Sequence, residues 1–138
     1  MLALSLTRPW DELILLGHKP VENRTWGTRH RGPLVVHAAR SWDQRAVTLA
    51  RRLLGDDTAD RLGTKASAPV GFRGVVTLRD VCAGFPCSCG PWAFPGQRHW
   101  KVDDPRRLKR RIPGNGRLGL FSVPPDVERA ALAALEAA

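Results

Sequence analysis

Residues 17–26 read Gly17-His18-Lys19-Pro20-Val21-Glu22-Asn23-Arg24-Thr25-Trp26. In extended backbone, successive side chains point to opposite faces. A strand over residues 21–26 therefore sets Glu22, Arg24 and Trp26 on one face, and Val21, Asn23 and Thr25 on the other. Lys19 stands at the strand entrance, within reach of Glu22. One face then offers an acceptor, a fixed cation and an aromatic plate. A base can stack on the plate while the carboxylate accepts from an exocyclic amine and the guanidinium holds a phosphate or carbonyl. The same spacing also suits a Lys–Glu–Arg ion network that only braces the fold.

The flanking sequence predicts the elements around this stretch. Residues 2–6 alternate apolar with small or polar side chains, as a short strand does. Pro9 suits a helix first turn, and Asp11 and Glu12 favour its positive end. Trp10, Leu13, Ile14 and Leu16 follow helical spacing up to Gly17, which fits a C-terminal cap. Gly32 and Pro33 form a turn before a compact apolar strand at 34–38. Ser41 and Gln44 have the spacing of a capping box for a helix that Gly55 closes. Residues 56–69 predict a short helix and a loop. Residues 70–81 form the longest strand, and Gly71 and Gly74 within it point to bends or bulges. A loop rich in Gly, Pro and Cys covers 83–98. Strands follow at 99–102 and 117–123, and Pro124-Pro125 precede an Ala-rich helix over 126–138. With no repeat and no long linker, one domain over 1–138 is expected. The expected fold class is α+β, a small, partly open mixed β-barrel with surrounding helices.

The chain's 138 residues suit one core. Apolar residues at 43% and charged residues at 25% exclude collagen-like, disordered and membrane-spanning classes. Lys plus Arg is 22 against 13 Asp plus Glu, a net charge of +9. Arg supplies 18 of those 22 cations. Its planar fork grips phosphate in bidentate fashion, so the balance points to a polyanion, most simply nucleic acid. An Arg- and Ala-rich composition explains the bulk charge equally well. The excess peaks over residues 97–117, where eight cations face only Asp103 and Asp104. Within it, Arg106, Arg107, Lys109, Arg110 and Arg111 read as an exposed loop able to track phosphates, or as a merely solvated one.

Three cysteines, an odd number, argue against a secreted disulfide framework. Residues 1–6 carry no basic leader, and the apolar run 13–16 is too short for a bilayer. The expected location is cytoplasmic, with no membrane partner. Cys82, Cys87, Cys89 and His99 are spaced C-x4-C-x-C-x9-H, unlike the usual C-x2-C zinc knuckles. Thiols without a metal are the expectation there, and no cofactor is expected.

The pattern G-x-K-x-x-E-x-R at Gly17, Lys19, Glu22 and Arg24 resembles the signature of the ASCH domain family, a branch of the PUA-like superfamily. The flanks agree: Leu4, Ser5, Leu6, Thr7, Arg8, Pro9 and Trp10 before it, then Trp26, Gly32, Pro33 and the strand ending in His37. Arg117, Leu118, Gly119, Leu120 and Phe121 also resemble the last barrel strand of such proteins. The resemblance implies a PUA-like barrel whose cleft holds the motif, and binding of RNA or a modified nucleotide. One ASCH subgroup hydrolyses N4-acetylated cytidine with a Lys, a Thr and a Glu. Its Lys matches Lys19, whereas Glu22 stands where its Thr is expected. A ribonuclease subgroup uses a tyrosine, and this chain has none.

Three functions follow as expectations. The first is a binding module with Lys19, Glu22, Arg24 and Trp26 in the cleft, joined by Ser5, Arg8, Trp10 and His37. In it, Arg106, Arg107, Lys109, Arg110 and Arg111 hold phosphates. The second is a hydrolase of a modified nucleoside or of RNA, with Lys19 as base and Glu22 positioning water. The third is a protein-interaction domain of coregulator type. RNA or a nucleotide is the expected partner, DNA an alternative polyanion, and a monomer the expected state.

Overall fold

Alternation along three neighbouring strands builds two apolar layers. Leu4, Leu6, Leu34, Val36, Val76 and Leu78 point to one side of the sheet and join one core with Trp100. Ala3, Val35 and Val75, the residues between them, point to the other side and join a second core. Burial on both faces explains the compact run at 34–38, apolar but for His37. The structure is a computed structural model that describes residues 1–83 and 87–137. Its elements are β1 (Leu2–Arg8), α1 (Trp10–Leu15), β2 (Val21–Arg24), β3 (Gly32–Trp42), α2 (Gln44–Leu54), α3 (Asp56–Arg61), β4 (Gly71–Cys82), β5 (Arg98–Ile112), β6 (Phe121–Ser122) and α4 (Pro125–Glu136). Ile14 and Leu15 of α1 cover the first layer. Val127, Ala131 and Ala134 of α4 cover the second. A third cluster joins Trp10 and Leu13 of α1 to α2, α3 and Trp92. Among the described residues, no helix is long and apolar enough to cross a membrane.

The strands form a single sheet in the order β2-β5-β4-β3-β1-β6. β1 and β3 are parallel, and the remaining pairs are antiparallel. The architecture is mixed α+β, but the expected barrel is corrected: β2 and β6 remain edges, and the sheet is not closed. It curls nevertheless. Arg24 on β2 donates to the Ser5 carbonyl on β1 at 2.8 Å, although three strands lie between them in the sheet. Register shifts occur on β4 between Phe72 and Gly74, between Val75 and Thr77 and between Leu78 and Asp80, and on β3 between Val36 and His37. A Cβ at Gly74 would meet Leu15 Cδ2 at 2.5 Å and the Arg106 carbonyl oxygen at 2.7 Å. The leucine can rotate, but the backbone oxygen cannot. Gly74→Ala is expected to cost about 1–3 kcal/mol by overpacking, read as a lower urea midpoint with an unchanged slope.

Four local expectations need correction. Ser41 does not cap α2; β3 runs on to Trp42, Ser41 Oγ donates to Thr7 Oγ1, and Asp43 accepts from the Arg45 N–H instead. The strand expected at 117–123 shrinks to Phe121–Ser122. The basic segment 106–111 is strand rather than loop, because Leu108 is buried in the α4 layer and pairing with β4 continues through it. The last helix ends at Glu136, and Ala138 lies outside the described residues, as do residues 84–86 of the expected 83–98 loop. α1 is tied to the sheet by Arg73 of β4, which donates to Asp11 Oδ2 at 2.8 Å and Glu12 Oε2 at 3.0 Å. Burial raises the Asp11 pKa above the usual carboxylate range despite this partner.

Candidate functional site

The end of α1 aims Lys19 inward. Gly17 adopts φ +84°, a conformation that favours glycine, and the N–H groups of His18 and Lys19 both donate to the Leu13 carbonyl. The chain thus doubles back, and Lys19 ends 2% exposed. Its ammonium lies 3.0 Å from Glu22 Oε1 and 4.9 Å from the centre of the Trp10 ring. Loss of hydration lowers the Lys19 pKa, the Arg24 charge lowers it further, and Glu22 opposes both.

Glu22 is divided between two cations. Oε1 accepts from Lys19, and Oε2 accepts from Arg24 Nε at 2.9 Å. The carboxylate therefore orients the two cations, and each oxygen keeps a further lone pair. Trp10 is held in turn, because its Nε1–H donates to Asp43 Oδ2 at 3.1 Å. Asp43 also takes a two-pronged contact from Arg45, and these hydrogen bonds lower its pKa.

Two clefts meet at this cluster. The smaller, about 270 Å³, is lined by Lys19, Glu22, Trp10, Asn23, Phe94 and Gln97, with Asp43 and Arg45 also on its wall. Counting Arg24, its cations outnumber its carboxylates by one. The larger, about 860 Å³, is lined by Arg24, Arg40, Arg111 and Arg117, with His37 and residues 113–119, and among the described residues by no acidic side chain. Ser5 and Arg24 belong to both, so the Arg24–Ser5 hydrogen bond marks their boundary.

His37 is buried with both ring nitrogens engaged. A carbonyl only accepts, so Nε2–H donates to Gly114 O at 2.8 Å, and Nδ1 accepts from Ser5 Oγ at 2.8 Å. This ties Gly114, on the wall of the larger cleft, to β3.

Several expected site residues lie elsewhere. Trp26 is not in either cleft: β2 ends at Arg24, so the alternation stops, and Trp26 meets Trp100 edge-to-face at 4.9 Å. Arg8 is buried and spends four donors on the carbonyls of Ala39, Arg40, Lys65 and Ala68. Arg106 is turned to Asp104 and the carbonyls at the end of α4, and Arg107 to Glu12. Lys109 and Arg110 are exposed outside both clefts, and only Arg111 of the basic run reaches one. Arg40, Asn23 and Phe94 were not singled out by sequence. Asn23 holds the loop wall, donating to Trp92 O at 2.9 Å and accepting from Phe94 N–H at 2.8 Å. No periodicity in that loop could have announced it.

No curated protein matches the chain. The family model of the ASCH domain matches residues 4–102, from β1 into β5, and covers Lys19, Glu22, Arg24 and Arg40. The match reaches well beyond half of the sequence, and the chain belongs to the ASCH domain family.

Proposed function

We propose that this domain binds single-stranded RNA, with phosphates along the larger cleft and one nucleotide's base, standard or modified, in the smaller. The ASCH family is associated with RNA binding. The observation that carries the reading is the pairing of the clefts: a groove with four arginines and no acid opens beside a smaller polar cleft, and Arg24 belongs to both. Phosphate binding by Arg releases counterions, so affinity falls with salt. In the small cleft the extra cation favours a carbonyl or anionic edge, and Trp10 and Phe94 supply aromatic surface.

Fluorescence anisotropy with a labelled single strand, repeated across salt concentrations, tests this. Contacts from Arg40, Arg111 and Arg117 predict a log–log slope of about −2, and each Arg→Ala change should reduce it by about 0.7. A slope near zero, or one that the triple variant leaves unchanged, would sink the proposal. Burial of Lys19 supports a second reading, hydrolysis of an acylated nucleoside or of RNA with Lys19 as base. Product analysis decides it: turnover that Lys19→Met abolishes while binding persists favours the hydrolase.

A further inference from the structure

We propose that Cys82, Cys87, Cys89 and His99 form a tetrahedral zinc site that pins the loop between β4 and β5. The sulfur atoms and one imidazole nitrogen all lie within 4.8 Å of one another. Ligand atoms around a tetrahedral zinc, with bonds near 2.0–2.3 Å, are separated by about 3.5–3.8 Å. Once the bridge between Cys87 and Cys89 is reduced, those two sulfurs move apart and side-chain rotations draw the rest of the set together.

Topology makes the convergence more than a crowding of loop residues. Cys82 ends β4, His99 is the second residue of β5, and the two are direct cross-strand partners. A rigid ladder thus presents half the set, and residues 87–89 fold back to supply the rest. His99 is oriented as a ligand would be. Its Nε2–H donates to the Phe94 carbonyl at 2.7 Å, which leaves Nδ1 as the lone-pair nitrogen. Nδ1 faces Cys87 Sγ at 3.1 Å. A metal-bound histidine typically donates its second nitrogen to such a carbonyl.

Cys87 and Cys89 are joined as a disulfide in the structure. With only one residue between them, the bridge closes a very short loop and constrains the unfolded chain little. Zinc needs both as thiolates, so a dithiol reductant must first supply two electrons to the bridge and is itself oxidised to a disulfide; the bridged and metal-bound forms exclude each other. Three thiolates and an imidazole are a donor set that suits zinc among the biological cations. Four protein ligands leave no open position, so the role assigned is structural. The loop so anchored carries Trp92 in the third core cluster and Phe94 and Gln97 on the small cleft. The proposal is independent of what the clefts bind.

The test uses the full chain, purified under reductant, stripped with a chelator and titrated with Zn²⁺ and, separately, Co²⁺. One zinc per chain is expected, with a rise in melting temperature. Cobalt should give the intense visible bands of a tetrahedral site and a thiolate charge-transfer band. Cys89→Ser and His99→Ala should lose stoichiometric metal; Cys89 is only partly buried, so its variant remains informative if His99→Ala fails to fold. Absence of stoichiometric zinc in the reduced chain, a cobalt spectrum without thiolate bands, or full retention by Cys89→Ser would each overturn the site.

Discussion

Glu22→Ala should destabilise the protein by about 3–5 kcal/mol, because it strands a buried ammonium beside a second cation. Lys19 is 2% exposed and has Arg24 as a neighbouring charge, and Glu22 is the carboxylate that meets both. The loss should also carry a distinctive pH signature. The folded-state pKa of Lys19 lies below its ordinary value of 10.5, so the folded chain sheds this proton before the unfolded chain does. Over that interval the unfolded state binds more protons, and stability rises with pH. Below the folded-state pKa the burial penalty is present in full. Removing Glu22 removes the influences that hold the pKa up, so the interval widens toward neutral pH. The deficit of Glu22→Ala measured by urea denaturation at neutral pH should therefore shrink under alkaline conditions. The chain has no tyrosine, so no phenol titrates across the same range. Lys19→Met combined with Glu22→Gln should recover most of the stability, since the buried charge is gone and the amide oxygen still accepts from Arg24. A cost below about 1 kcal/mol for Glu22→Ala would mean that water reaches Lys19.

Arg8→Ala should cost about 3 kcal/mol or more, while leaving RNA affinity unchanged wherever the variant is folded. Its guanidinium gathers the carbonyls of Ala39 and Arg40 at the far end of β3 with those of Lys65 and Ala68. Truncation leaves those acceptors without their charged donor and withdraws the cation lying 5.8 Å from the Trp42 ring centre. Arg8→Lys should lose most of the same stability, because an ammonium has three donors on one point and cannot span the four carbonyls. Urea midpoints for the two variants, beside anisotropy on the folded proteins, separate a fold-bracing arginine from a ligand-binding one. A large fall in RNA affinity with an unchanged midpoint would place Arg8 back among the binding groups.

These two residues mark what was legible in the sequence. The contacts that Lys19, Glu22 and Arg24 make with one another are local, three residues apart or fewer, so spacing alone places them together. The contacts of Arg8 lie 31 to 60 residues away, where nothing in periodicity reports them. Strands β1, β3 and β4 follow from their apolar alternation or continuous burial. β5 follows only over residues 99–102; its continuation to Ile112 does not, because its cations hide Leu108 and because Pro105 and the register shifts break the pattern. The Ser41 cap fails for a similar reason: Thr7, distant in sequence, claims the hydroxyl. Arg40 and Arg117 reach one groove only through tertiary proximity. The excess charge is thus legible in amount, and its gathering into an acid-free groove is not.

The open sheet has a mechanical corollary. β2, at one margin, meets β1, next to the other, through the Arg24 guanidinium on the Ser5 carbonyl, with no backbone ladder between them. Such a closure behaves as a clasp: it can be undone and refastened without melting a strand. A ligand that draws Arg24 away from Ser5 would merge the two clefts into one trough, and Glu22 would still tether the released arginine. Under the proposed function, one side chain would serve as both fastener and hand.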